Sequence, residues 1–406
     1  MYQTVFNLKQ ETPIIHFLHD QPGATLRATE LKPKLDRLIL AELGRSAIRQ
    51  EWISSDGANG HISLDYKISI RPTGKSYPVK LDSEPKLDRE TGKDKYETRA
   101  YPHLLANMGG KDYQEDLKNL VLYDGVELVI RTWHDELQTH LKRFLPILLL
   151  KTNFGNRGSK GFGSFSCIAI DGQPFRGRPG YRYCFDWRMR GNNVGEQHKN
   201  LFNAINFFYK CLRSGINQVN KSQQTEFYFK SLMYAYANAQ NQKWDKYTIK
   251  NFFFTGGQLP AEKADYRDWL GLSTEEMWGR RYNGQKVTKD SPDIERFASP
   301  IFFKPISVRE GQYKVYIGVQ AGGEEMDGFR NATIDVHVKG KQKLTLHPAR
   351  QFDIHGFLRF ALEETDIEEH LFQYDRDNIN DTNYHLYRDI IHPIFSSIHQ
   401  NLPQEA

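Results

Sequence analysis

The sequence predicts an α+β chain whose first half runs strand, helix, strand, strand, helix, strand. Three observations carry that reading. HISLDYKISIR (61–71) alternates polar and apolar residues with the period of a half-buried strand. Residues 135–151 place Leu137, Leu141, Phe144, Leu145 and Leu148 at helical spacing. Between that helix and the strand SFSCIAI (164–170) lies a loop, 155–163, with four glycines in nine residues.

The remaining elements follow in order. Residues 2–8 and 13–18, rich in Val, Ile and Phe, read as strands, and DQPGAT (20–25) as a turn. Residues 26–43 read as helix, with Pro33 expected in the first turn, where its missing N–H costs nothing. Residues 72–120 hold many Lys, Asp, Pro and Gly without a clean period and read as a long insertion. GVELVIRTW (125–133) is a strand. The order is βαββαβ, the ferredoxin-like arrangement shared by RNA-recognition-motif (RRM-like) folds.

Beyond it, residues 196–214 and 224–240 read as helices, and a short helix is expected near 261–278 among polar loops. Strands are expected at 300–307, 313–320 and 333–338, and helices near 350–364 and 384–400. The expected division is a first ferredoxin-like domain over 1–190, a helical connecting segment over 191–295, and a second, degenerate ferredoxin-like domain over 296–406 with acidic C-terminal helices.

With 406 residues, 39% hydrophobic and 26% charged, the chain reads as two or three globular domains. No run approaches the length of apolar residues that spans a bilayer, so no membrane segment is expected. The N-terminus lacks a secretory pattern, and three scattered cysteines (Cys167, Cys184, Cys211) form no disulfide framework. A reducing, cytoplasmic setting is expected. No metal motif stands out, and no cofactor is expected.

The net charge of +5 hides an asymmetry. Residues 142–190 hold ten basic side chains against Asp171 and Asp186. Residues 361–406 hold ten acids against Arg376 and Arg388. A basic block of this size focuses an anionic partner. The acidic tail suits a protein contact better than a nucleic acid.

The glycine loop, FGNRGSKGFGS (154–164), combines backbone freedom with the charges of Arg157 and Lys160. Its amides are expected to form a concavity for phosphate. A Walker A loop is excluded: the Gly-Lys-Ser/Thr ending is absent, and the loop precedes a strand. Downstream, RGRPGYRYCFDWRMR (176–190) sets five arginines among Tyr181, Tyr183, Phe185 and Trp187. Arginines contact phosphate and aromatics stack on bases. The period-two aromatics equally suit a buried strand face.

For catalysis, a metal-independent ribonuclease needs an acid–base pair, and His16 is the one candidate base. No partner for it is evident in the sequence. A non-catalytic binding subunit is therefore expected.

FLPILLLKTNFGNRGSKGFGSF (144–165) resembles the apolar-helix and glycine-loop segment of the RAMP superfamily of CRISPR proteins. PGATLRATELKPKLDR (22–37) and RFASPIFFKPI (296–306) are similar to two further segments of that superfamily. The chain is most like the two-domain RAMP subunit counted first in Cmr-type (type III-B) effector complexes. Pro33, the 72–120 insertion and the 176–190 segment depart from the family pattern.

The resemblance implies a role in antiviral defence as an RNA-binding subunit, with guide or target RNA and the other Cmr-type effector subunits as partners. It places Gly155, Arg157, Gly158, Lys160, Gly161, Phe162 and Gly163 against phosphates. Thr25, Arg27, Thr29, Lys32 and Lys34 form the second wall. The charge pattern adds Arg176, Arg178 and Arg182. The competing expectations are a guide-RNA-processing endoribonuclease of the same superfamily, and an interaction scaffold that binds no RNA.

Overall fold

The computed structural model describes residues 1–15, 25–56, 62–79, 83–87, 94–98, 120–219, 225–260, 263–278, 285–320, 323–371 and 385–403. They fall into two compact units, Met1–Asn206 with Phe303–Gly318, and Phe207–Phe302 with Val319–Ala406.

The first unit opens with β1 (Tyr2–Gln10) and α1 (Ala28–Leu43). A small hairpin, β2 (Ile53–Asp56) and β3 (Ile62–Leu64), follows, then the long strand β4 (Tyr66–Val79). Next come β5 (Ser83–Leu87), β6 (Asp94–Thr98) and β7 (Leu120–Thr132). After α2 (Asp135–Lys151) lie β8 (Phe165–Ile170), β9 (Gln173–Pro174) and β10 (Tyr183–Arg188). Helix α3 (Val194–Arg213) runs through the division at Asn206.

The main sheet has the order β4-β7-β1-β8-β9, and its pairs are antiparallel. Register follows the apolar period. Thr4, Phe6, Leu8 and Gln10 of β1 point inward, and Phe6 pairs with Leu128 and Ile170. Phe6, Leu8, Leu128 and Ile130 form one core with Leu31, Leu35 and Ile39 of α1 and Leu141, Phe144 and Leu145 of α2. That core is what fixes the helices on one face of the sheet.

Several expectations need correction. Helix α1 begins at Ala28, so Pro33 lies inside it rather than at its start. Pro33 is exposed, so its ring displaces no packed neighbour while it breaks one backbone bond. Within the expected insertion the described residues are strand: β4 reaches Val79, β7 begins at Leu120, and β5 pairs with β6. Its period was masked by Pro72, Pro78 and a register shift between Thr73 and Ser76. The helix expected over 224–240 is a strand, Thr225–Phe229, and then a helix, Leu232–Ala239, capped by Ser231. Where a helix was expected near 261–278 there are two short strands, Ala264–Asp265 and Glu275–Met277, around a 3₁₀ turn at Arg267–Leu270.

The strands Ile301–Arg309 and Gln312–Val319 make a three-stranded sheet with β10, in which Phe185 pairs with Val315. Residues 303–318 thus cluster with the first unit, whereas the sequence expectation placed them in the second.

The second unit holds a five-stranded sheet ordered Ala264–Asp265, Leu344–Pro348, Ile334–Val338, Lys286–Asp290, Glu275–Met277. Trp269, Phe297, Phe329 and Phe352 pack beside it, with Phe297 and Phe329 stacked at 4.0 Å. Under this aromatic layer lies a buried ionic network. Lys289 reaches Asp265 at 3.0 Å and also contacts Asp268. Arg267 bridges Asp245 at 2.8 Å and Glu276 at 2.7 Å, and Arg213 holds Asp268 at 2.9 Å. Burial, reinforced by Asp268, pushes Asp265 up to about 8.

Candidate nucleic-acid interface

The glycine loop leaves α2 at Thr152 and is braced from three sides. The Gly155 amide donates to the Glu30 carboxylate at 2.9 and 3.1 Å. Lys34 pairs with Glu30 at 2.9 Å, donates to the Asn153 carbonyl at 3.4 Å and lies over the Phe154 ring. The first turns of α1 are therefore pinned to the loop. On a second side, the Asn156 amide donates to Ile15 O, and the Gly163 amide to Pro13 O. Thr12 Oγ1 donates to Gly161 O at 2.7 Å and accepts from the Ser164 amide at 2.9 Å.

The third brace comes from the late hairpin. Lys304 is fully buried and donates to Thr152 O at 2.9 Å, Asn153 Oδ1 at 3.1 Å and Phe165 O at 3.0 Å. Burial pulls its pKa down from 10.5 to about 7, against the opposing carboxylate of Glu11. The unfolded chain therefore holds this proton across the window in which the folded chain releases it. Unfolding free energy should rise with pH between about 7 and 10 through this group. Lys304→Met should remove that slope and cost about 3–5 kcal/mol, because three acceptors lose their donor. Urea titrations at several pH values check both; an unchanged slope in the variant would refute the assignment.

The geometry corrects the expected roles of several residues. The amides of Gly155, Asn156, Lys160, Gly161 and Gly163 donate to protein acceptors, so they do not form the open concavity that was expected. Gly161, Phe162 and Gly163 are buried, and Phe162 stacks on Phe202 at 3.8 Å. A Cβ on Gly163 would sit 1.8 Å from Phe154 O, and one on Gly155 would sit 2.5 Å from Ile15 O. These glycines permit close internal packing rather than close approach of a ligand.

Thr25 is buried and donates to Gln10 at 3.3 Å. Lys32 is turned inward, bonded to Asp36, Ser63 Oγ and Leu64 O and lying over Tyr66. The Lys160 Nζ is itself covered, which takes it out of reach of direct contact with a ligand. Tyr183, Phe185 and Trp187 form the buried face of β10, which takes them out of reach of bases.

What faces outward is arginine. Arg176, Arg178, Arg182, Arg188 and Arg190 are exposed, as is Thr29, while Arg27 and Arg157 are half-buried. Gly177 lies against Leu150, near the C-terminal end of α2, so Arg176 and Arg178 flank the end from which the glycine loop departs. Arg157 itself adopts φ +59°, a left-handed conformation in a non-glycine residue. His16 lies outside the described residues.

Sequence reasoning missed Glu30, Asn153 and Lys304 as organisers of the loop. For Lys304 a signal existed: a lone cation inside the apolar run IFFKPI. For Glu30 and Asn153 there was none, since their partners are brought close only by the fold.

No curated protein matches the chain. Among solved structures it is similar to Cmr1 from Pyrococcus furiosus in its apo form, at 12% identity and TM-score 0.39, over 89% of this chain and 96% of that one. It is also similar to a chain of a type III-B Cmr-beta complex bound to cognate target RNA, at 11% identity and TM-score 0.37, over 78% of this chain and 94% of that one. The family model of the Cmr1 N-terminal domain matches residues 1–216, and that of the Cmr1 C-terminal domain matches residues 228–384. Together they span most of its length, and the chain belongs to the Cmr1 family of RAMP subunits.

Proposed function

We propose that the chain is an RNA-binding subunit of a type III-B CRISPR effector complex, one that grips the backbone of guide or target RNA and makes no cut itself. Family membership supports the effector-subunit part. The sheet order β4-β7-β1-β8, with both helices on one face, supports a ferredoxin-like reading of the first unit.

The observation that carries the RNA part is Arg157. A left-handed φ at a non-glycine residue costs about 1–2 kcal/mol, and such strain gathers at functional sites. Glycine would be the cheaper residue there, so a side chain at this position has a use that offsets the strain. Beside it, α1 opens at Arg27 with no side-chain cap on its N-terminus, a geometry that favours phosphate.

Arg157→Gly separates fold from function. Stability should stay level or rise by about 0.5–1 kcal/mol, since glycine carries no φ penalty. RNA affinity should fall for all sequences alike, because phosphate contacts hold no base information. Of the expected site residues, five cations remain accessible to a backbone: Arg27, Arg157, Arg176, Arg178 and Arg182. If about five phosphates are neutralised, single-stranded RNA should lose roughly a hundredfold in affinity between about 50 and 200 mM salt. A salt-independent affinity would remove the reading and favour the scaffold. Incubation with repeat RNA in EDTA tests the nuclease alternative, where a discrete product would overturn the non-catalytic part.

A further inference from the structure

We propose that the open face of the main sheet, at its Trp133 end, carries a single-stranded stretch of RNA. This second contact rests on the RNA reading above and lies apart from the glycine loop. Helices α1 and α2 pack on one face of the sheet, against Phe6, Leu8, Leu128 and Ile130. Strand alternation turns the intervening residues to the other face: Gln3 of β1, Val129 and Arg131 of β7, and Lys67, Ser69 and Arg71 of β4.

Two observations single out one end of that face. The register sets Lys67 directly opposite Arg131. Like charges placed opposite one another on neighbouring strands destabilise a sheet, so the pair is kept at a cost. An anion seated between the two cations removes that cost. Next along β7, Trp133 is 68% exposed, although tryptophan is on average well buried. It follows Thr132, which is buried and pairs with Tyr2, so the indole leaves the sheet on the Arg131 side. Two residues of strand set the indole about 7 Å from Arg131 along the chain.

These groups select the occupant. Arg71 pairs with Glu127 at 2.7 Å, and Lys9, at the far end of β1, donates to Ser307 Oγ at 2.7 Å. Arg131 donates to Gln3 Oε1 at 2.9 Å, a neutral partner that leaves its charge in place. Among the described residues, Lys67 and Arg131 therefore set the charge of this end. The acids nearest Trp133 are engaged or turned away. Asp65 faces His134 at 3.1 Å, Glu136 pairs with Arg49, and Asp135 opens α2 on the opposite face. The exposed apolar surface here is confined to Met1, Tyr2 and Trp133, too little for the apolar centre of a protein interface. An anion beside a flat ring is the chemistry of a nucleotide. The phosphate lies between Lys67 and Arg131, and the base stacks on the indole.

The position separates this contact from the first. β1 reaches the glycine-loop end through Gln10, which pairs with Phe165, and the Trp133 end through Tyr2. Its nine residues hold the two ends about 27 Å apart at about 3.4 Å per residue.

The test titrates the full chain with a fluorescein-labelled oligouridylate and reads anisotropy. Trp133→Ala should weaken binding about tenfold, the scale of one stacked base, and Trp133→Phe by less. Lys67→Gln should weaken it several-fold at low salt and lower the salt slope by about 0.7. Its melting temperature should hold or rise, because the like-charge pair is gone. Wild-type affinity in both Trp133→Ala and Lys67→Gln, with Arg157→Gly weakened, would overturn the sheet-face contact and leave the RNA reading standing. Failure of the wild-type chain to bind the oligomer would overturn both. Displacement by uridine monophosphate as readily as by unlabelled oligomer would overturn the strand as occupant. In the assembled effector complex, a photo-crosslinking residue in place of Ser69 should capture RNA. Capture of a protein subunit alone would overturn the assignment.

Discussion

Lys289→Met should unfold the second unit. The ammonium is fully buried and contacts Asp265, Asp268 and, at 3.8 Å, Asp245. Removing it leaves carboxylates facing one another in a medium that solvates none of them. Breaking a buried pair by deleting one partner costs about 3–5 kcal/mol. Domains are stable by only about 5–15 kcal/mol, so little margin is left. Asp265→Asn is the contrasting variant. Burial raises the Asp265 pKa, so its charge is costly to keep and the loss of that charge is partly offset. Its Oδ1 accepts from the Asp268 amide and its Oδ2 from Lys289, so an amide NH2 would meet a donor, and the variant should lose about 1–3 kcal/mol, less than Lys289→Met. Thermal and urea melts of both variants check this. A Lys289→Met protein as stable as wild type would show that the network contributes nothing.

Gly163→Ala should displace the glycine loop. The added methyl carbon would lie 1.8 Å from Phe154 O, the carbonyl of a residue whose own amide donates to Gly163 O at 2.9 Å. No rotamer relieves a Cβ clash, so the chain must move. The φ of +66° adds about 1–2 kcal/mol, and the total should reach about 3 kcal/mol or more. Gly172→Ala calibrates the experiment. Its φ is +78°, yet nothing lies within 4 Å of the new carbon, so only the conformational cost of about 1–2 kcal/mol applies. RNA affinity should fall with Gly163→Ala and hold with Gly172→Ala. Equal losses of stability in the two variants would show that the close approach is relaxed at no cost.

The strand and helix order of the first unit was legible because period-two and helical patterns are local. Phe6 and Leu8, or Leu137 and Leu141, declare their face without reference to the rest of the chain. The location of the glycine loop was legible for the same reason, but its use was not. Four glycines announce an unusual backbone without saying whether a ligand or the protein itself needs the space, and here Phe154 O and Ile15 O need it. Lys32 and Lys34 were expected to face phosphate, since lysines are mostly exposed. Their partners, Leu64 O and Asn153 O, are set by tertiary packing that no spacing encodes. The aromatic strip 183–187 was ambiguous in sequence, since one period serves a buried strand face and a stacking platform alike.

The first unit takes residues 303–318 back after the whole of 207–302 has been made. That order has a kinetic meaning during synthesis. At roughly 5–20 residues per second, the glycine loop waits on the order of ten seconds before Lys304 leaves the ribosome. Throughout that wait Thr152 O, Asn153 Oδ1 and Phe165 O lack the donor that later joins them. The edge of β10 likewise stands unpaired until Gln312–Val319 arrives, and an open edge is a template for another chain. A fragment cut at Asn206, which never receives the late strands, should be recovered as aggregate rather than as a folded domain.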